Sequence, residues 1–288
     1  MRIIVFLLVM VGVLTAYLWF NTLTAEWIEY GLQVYRRTVE FRAGTPYQQR
    51  VLLPFLLVSW KPSIEAFTAS LTILHLAAFP AWYVGLWLWL KRFGKNWLAV
   101  TVTVLSTGFI VLGLPAWGAS NSWTMIEMVC MVWLLVLIDR DVTSIGIIVL
   151  ATLNRPFTGG ALALVYLLYH GRKGLPGALV YGVVLMGLLV MFQSNRWQMG
   201  DLIGAHVERN TGTFLWQGII NNFMWLMVWI LAVIGWRRAT RKLRVLSLAI
   251  VPYVLVCAVA ATWYEVRLLL TVYPLAGALM VVGLEDDR

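Results

Sequence analysis

Long apolar runs constrain this chain more than any other feature. Several of them, such as Ile3–Phe20 and Ile64–Leu90, reach the roughly 18 residues that a helix needs to cross a bilayer. Charge is pushed into the gaps between them. Of the 288 residues, 12% are charged and 61% hydrophobic, where a soluble domain carries about 25% charged residues; the mean hydropathy is +0.82. Alternating runs of about ten residues, the mark of a membrane β-barrel, do not occur. The sequence predicts an all-α polytopic membrane protein in which residues 1–288 form a single transmembrane domain.

The net charge of +9 is read as topology and not as a nucleic-acid footprint, because Lys and Arg collect in cytoplasmic loops. Arg2 puts the N-terminus inside, and Met1–Phe20 is taken as a retained first helix, not a cleaved signal. After Ile3–Phe20 and Ile64–Leu90, the further spans are Trp97–Pro115, Thr124–Ile138, Leu175–Gln193, Phe214–Trp236, Leu246–Trp263 and Leu268–Leu284. Lys91, Arg92 and Lys95 lie inside on this scheme, as do Arg237, Arg238, Arg241, Lys242 and Arg244. That makes about eight crossings of a plasma (inner) membrane, with both termini cytoplasmic. Cys130 and Cys257 fall within apolar runs and show neither disulfide nor metal spacing.

One segment decides the scheme. If residues 142–169 crossed the bilayer once, every later loop would invert and the five-cation cluster would face outward, against the positive-inside rule. Val142–Leu153 and Phe157–Tyr169 are instead each about 18–20 Å long as helices, too short to span. They are expected to form a pair of short helices meeting at a broken tip, Asn154-Arg155-Pro156, and leaving on the side they entered. Non-helical backbone at that depth needs protein or a wet cavity around it, so Asn154 and Arg155 are expected to line a cavity.

The stretch Asn21–Lys61 is the other unusual one. Between Glu26 and Arg50 it holds seven charged residues: Glu26, Glu29, Arg36, Arg37, Glu40, Arg42 and Arg50. It is read as an outer loop with an amphipathic helix, carrying catalysis or ligand binding, followed by Val51–Trp60, too short to cross. Lys61 is the one lysine on the outer side, where the cations are otherwise arginine. The guanidinium fork suits bidentate contacts to phosphate or carboxylate, so this bias points to an anionic ligand at the outer leaflet; internal Arg–Glu pairing is the plainer alternative. Arg50, with Tyr47 beside it, stands at the membrane boundary where a lipid phosphate would lie, or else is a snorkelling arginine. Arg155 should lie deep, where ionisable residues are functional by default. Glu127 is either an ion-pair partner for an arginine or a substrate contact. Glu265 and Arg267 either cap an outer helix end or contact ligand. Trp60, Trp117, Trp123, Trp197, Trp216 and Trp263 are expected in an interfacial aromatic belt.

A resemblance ties these stretches together. Glu26-Trp27-Ile28-Glu29-Tyr30 directly after the first span, Tyr47-Gln48-Gln49-Arg50-Val51-Leu52-Leu53-Pro54, the broken Leu153-Asn154-Arg155-Pro156, and Glu265-Val266-Arg267 ahead of Tyr273-Pro274 resemble the GT-C superfamily of polytopic membrane glycosyltransferases. The resemblance is one of pattern spread over most of the chain. It departs from the superfamily in offering Glu where the first loop usually carries Asp, in being shorter than most members, and in lacking their soluble C-terminal domain. It implies a GT-C-like fold and transfer of sugar from a polyprenyl-phosphate carrier to an acceptor on the extracytoplasmic face. Glu26 or Glu29 would then be the base, with Glu26 favoured because it lies nearer the membrane. Arg50, Arg155 and Arg267 would hold the phosphate, with Tyr47, Asn154, Glu127 and Glu265 around the substrate. The partners expected are membrane lipid and lipid-linked sugar, and no nucleic acid; no metal ligands or further cofactor are assigned. The alternatives are a non-catalytic membrane subunit, a transporter of lipid-linked glycans, or a polysaccharide polymerase or ligase.

Overall fold

The structure, a computed structural model, describes residues 2–20, 25–40, 52–58, 63–94, 97, 100–101, 103–105, 122–191, 208, 212, 215–260 and 266–285. All regular structure among them is helical, without a strand. In chain order the helices are α1 (Arg2–Phe20), α2 (Ala25–Val39), α3 (Leu52–Val58), α4 (Ile64–Leu90), α5 (Ser122–Val136), α6 (Asp141–Asn154), α7 (Pro156–His170), α8 (Leu175–Met191), α9 (Leu215–Arg238), α10 (Arg241–Ser247), α11 (Ile250–Ala260) and α12 (Tyr273–Leu284). Short 3-10 segments lie at Gly171–Gly174 and Val266–Thr271. The chain divides into two compact units, Met1–Gly85 with Pro115–Arg196, and Leu86–Leu114 with Trp197–Arg288.

In the first unit, close helix approach follows the small residues. Gly12 of α1 sits against Pro80 of α4, where an added Cβ would stand 2.6 Å from the Pro80 Cα. Thr15, one turn on, reaches the Tyr83 hydroxyl at 3.3 Å. Small residues at such crossings let backbones touch, which is how helices associate where lipid removes the hydrophobic drive. Trp133 of α5 donates its indole N–H to the Ala81 carbonyl at 3.1 Å, bonding α5 to the α4 backbone beside that proline.

The expected broken pair is present. Residue 155 precedes a proline, whose ring disfavours the helical conformation for its predecessor; Arg155 accordingly stands at φ −157°, ψ 112° and separates α6 from α7. The two helices fold back on each other. Gly159 lies against Thr152, while at the open end Tyr166 donates to Asp141 at 2.6 Å, Tyr169 to Asp139 at 2.8 Å, and a His170 ring nitrogen lies 2.8 Å from the Ile138 carbonyl. The start of α6 and the end of α7 therefore lie together. Gly171, at φ 60°, then turns the chain, a conformation open to glycine. Gly177 meets Tyr166, and Gly160 meets the Tyr181 hydroxyl, so α8 runs back along α7.

Among the described residues two helical stretches are long and apolar enough to cross a membrane, Ile64–Leu90 and Pro156–Met191. The second bends at Gly171 into α7 and α8. Along α8 the exposed side chains include Leu175, Leu179, Val183, Met186 and Val190, spaced four, four, three and four residues apart, which is one continuous helix face. α1 shows a similar face in Ile3, Phe6, Leu7, Met10, Leu14 and Tyr17. Apolar faces of this length are not left to water in soluble monomers.

In the second unit α9 and α12 meet backbone to backbone. Gly235 lies against the Leu279 carbonyl, and Gly283 against the Leu231 carbonyl. Trp225 and Tyr273 pack edge to face at 5.8 Å, Tyr273 donates to the Thr103 carbonyl at 2.8 Å, and Trp89 donates to the Pro274 carbonyl at 2.9 Å. Two expected spans are interrupted. Leu246–Trp263 breaks at Leu248-Ala249 between α10 and α11, and Leu268–Leu284 breaks at Val272, leaving α12 with 12 residues, about 18 Å. Most of the expected span Trp97–Pro115 lies outside the described residues.

Candidate functional site

A buried polar constellation in the first unit is built on the break between α6 and α7. From it Arg155 extends to Glu127 on α5, its Nη1 lying 2.9 Å from one carboxylate oxygen and 3.1 Å from the other. Glu127 is fully buried and the Arg155 side chain is 16% exposed. Asn154 makes a second link one turn away on the same face of α5, donating from Nδ2 to the Trp123 carbonyl at 2.9 Å. The helix break is thus stapled to α5 at residues 123 and 127. In turn Trp123 packs against Tyr35 of α2, with ring centroids 4.6 Å apart, in a cluster with Leu32, Leu53, Phe67 and Leu71. The site thereby draws on α2, α3, α4, α5 and the α6–α7 tip.

Taking both charges out of water is expensive, and each of the two offsets part of that cost for the other. Two further polar atoms stand in the same neighbourhood. Asn154 Oδ1 and Thr158 Oγ1, one turn further along on α7, are buried and have no hydrogen-bond partner among the described residues. A buried hydroxyl or amide oxygen without a partner is costly.

The expected site residues divide into those brought together and those not. Glu127, Arg155 and Asn154 converge. Asn154 was expected to line a cavity; it is fully buried instead, because its amide is taken up by the Trp123 carbonyl. Trp123, expected in the aromatic belt, is likewise buried, since the α5 face that carries it turns to Tyr35 and the hairpin tip. Glu26 and Glu29 are exposed on α2, away from the face of Leu32, Tyr35 and Thr38 that is buried, and Glu29 accepts a long 3.5 Å hydrogen bond from Gln33. Arg155 and these two glutamates are not brought together. Tyr47, Arg50 and Glu265 lie outside the described residues, as do Trp60, Trp117, Trp197 and Trp263. Arg267 belongs to the 3-10 segment of the second unit.

Sequence reasoning gave no part to Tyr35 or Thr158. Tyr35 could have been found from the amphipathic pattern of α2, since Leu32, Tyr35 and Thr38 repeat at helical spacing. Thr158 carries no such signal. Among the described residues no group of three or more His, Cys, Asp or Glu side chains comes together to hold a metal ion.

No family model matches this chain, and no curated protein or solved structure matches it either.

Proposed function

We propose that the chain is a polytopic membrane glycosyltransferase that takes sugar from a polyprenyl-phosphate carrier and passes it to an acceptor on the extracytoplasmic face. About eight crossings, with both termini cytoplasmic, belong to this proposal. The observation that carries it is the Glu127–Arg155 pair at the tip of a broken helix hairpin. Ionisable groups held deep in an apolar helical chain mark substrate pathways more often than scaffolding. The pattern resemblance to GT-C enzymes supports the same reading, and the apolar faces of α1 and α8 support membrane embedding.

In this reading the donor enters from the lipid, and its phosphate competes with Glu127 for Arg155, with Arg50 as the further phosphate ligand. A carboxylate, Glu26 or Glu29, takes the proton from the acceptor hydroxyl as its oxygen bonds to the anomeric carbon. The bond from that carbon to the phosphate oxygen breaks, the electron pair leaves with the phosphate, and the sugar inverts. Arginines that meet the growing phosphate charge contribute where preorganised electrostatics is largest.

A second reading is favoured by one specific observation. Arg155 already has a carboxylate at 2.9 Å and is not joined by Glu26 or Glu29, which suits a structural clasp in a non-catalytic subunit or a transporter of lipid-linked glycans. Sugar transfer by the purified, reconstituted chain separates the two. The enzyme reading expects Glu26→Gln or Glu29→Gln to lower turnover about 10²–10⁴-fold, and Arg155→Lys to lower turnover more than stability. Full activity in both glutamate variants would remove the first loop from catalysis, and a wild-type chain inactive with every lipid carrier would favour the second reading.

A further inference from the structure

In the first unit one residue serves both the buried ion pair and a surface helix. Trp123 accepts the Asn154 amide at its backbone carbonyl, 2.9 Å away, and its ring lies 4.6 Å from that of Tyr35 on α2. Glu127, which holds Arg155 at 2.9 Å, stands one turn along α5 from Trp123 and on the same face. Tyr35 is fully buried and meets Phe67 of α4 edge to face at 5.5 Å. Leu32 of α2 and Leu53 of α3 belong to the same seat. The opposite face of α2 is exposed and carries Glu26, Glu29, Gln33 and Arg37.

The two members of the ion pair differ in their freedom. Arg155 keeps 16% of its side chain exposed, whereas Glu127 keeps none. The long arginine side chain can turn toward an anion by rotation about its own bonds, but Glu127 cannot reach water that way. A charge left buried without its partner is strongly unfavourable, so parting the two requires the start of α5 to shift or turn. Trp123 belongs to that same stretch of α5 and moves with it. Packed cores hold one arrangement or another and do not deform continuously, so the shift passes to the ring that Trp123 touches, which is Tyr35.

We propose that the Glu127–Arg155 pair is a latch on α2: while the pair is closed α2 is seated on Trp123, and parting the pair unseats it. Because α2 carries Glu26 and Glu29, an anion that draws Arg155 away from Glu127 rearranges these carboxylates at the same time. The occupant of Arg155 thereby sets the position of α2. The inference concerns the same site as the sugar-transfer reading but rests on the packing of the first unit and not on that reading, and its test measures no transfer.

The test is amide hydrogen exchange of the full-length protein in a neutral detergent, followed in peptides covering α2 and, for comparison, α8. Arg155→Met leaves Glu127 without its cation and is expected to speed exchange in α2 about fivefold or more, the lower end of ordinary coupling between sites, with α8 unchanged. Glu127→Gln/Arg155→Met, which leaves no charge to expel, should restore the wild-type rate in α2. Tyr166→Phe removes the bond to Asp141 at the other end of the hairpin and should leave α2 unchanged. Coupling is reciprocal, so Tyr35→Leu should speed exchange at residues 150–160, and this arm decides the matter if Arg155→Met fails to fold. Wild-type exchange in α2 of a folded Arg155→Met variant would overturn the proposal. So would an equal rise in α2 and α8, which is general loosening, a double variant no closer to wild type than Arg155→Met, a Tyr166→Phe effect as large, or a Tyr35→Leu effect confined to α2.

Discussion

Removing the Glu127 carboxylate would leave the Arg155 guanidinium in a site built for a neutral pair. Glu127→Ala is therefore expected to destabilise the protein by about 3–5 kcal/mol, whereas the double variant Glu127→Ala/Arg155→Met, which removes both charges, should recover much of that loss. Thermal unfolding in detergent of the two single variants and the double variant measures the coupling. Thr158 should behave in the opposite way. Its hydroxyl is buried without a partner among the described residues, so Thr158→Val, close in shape, should leave stability unchanged or raise it by about 1–2 kcal/mol. A marked loss of stability would show that the hydroxyl has an internal partner. At this scale the break at Arg155 is legible, because Pro156 acts on its immediate neighbour. The identity of its carboxylate is not, because Glu127 lies 28 residues away along the chain and nothing local selects it over Glu26 or Glu29.

Among the helices, glycines mark where elements touch. A Cβ on Gly159 would come within 2.7 Å of the Thr152 Cα, so Gly159→Ala should force α6 and α7 apart at about 1–3 kcal/mol. Gly146, also in α6, has nothing within 4 Å of its Cβ position. Gly146→Ala should therefore stabilise by about 0.5–1 kcal/mol through helix propensity alone. Thermal unfolding of the pair distinguishes a close crossing from a general effect of glycine. The ends of α4, α6, α7 and α8 were readable within two residues from charge, proline and glycine. The splits in Leu246–Trp263 and Leu268–Leu284 were not drawn from the sequence, although Pro252 and Pro274 lie just beyond them. A proline ring opposes the carbonyl four residues earlier, and Leu248 is that residue for Pro252. Pro80 shows why composition alone does not decide the matter. It sits inside α4 without ending it, with Gly12 and the Trp133 bond to Ala81 packed around it.

For the molecule as a whole, the exposed apolar faces give the sharpest test. Val183 lies midway along the exposed stripe of α8 and is 72% exposed. On a water-facing surface Val183→Arg would cost little, within about 0.5 kcal/mol. Facing lipid at the centre of a helix, an arginine costs about 2.5–3.5 kcal/mol of insertion free energy. Membrane fractionation and an insertion assay should show the variant integrating poorly; integration equal to wild type would mean that α8 does not face lipid. Sidedness is testable separately. With Cys130 and Cys257 replaced by Ser, cysteines at Gly171 and Thr240 should react only from the cytoplasmic side. Labelling at Gly171 from outside would contradict the proposed topology.

The helical class of the chain and the fold-back of α6 on α7 follow from the sequence. Apolar run length sets the first, and the break that permits the second is set by steric exclusion between neighbouring residues at Arg155-Pro156. Only the tertiary structure decided that Glu127 meets Arg155, that Trp123 and Asn154 are buried, and that Glu26 and Glu29 face away from them. Each of these depends on how a helix is rotated about its axis. That rotation is set by side-chain packing from several distant segments at once, such as Tyr35 on Trp123, and no single stretch of sequence contains it.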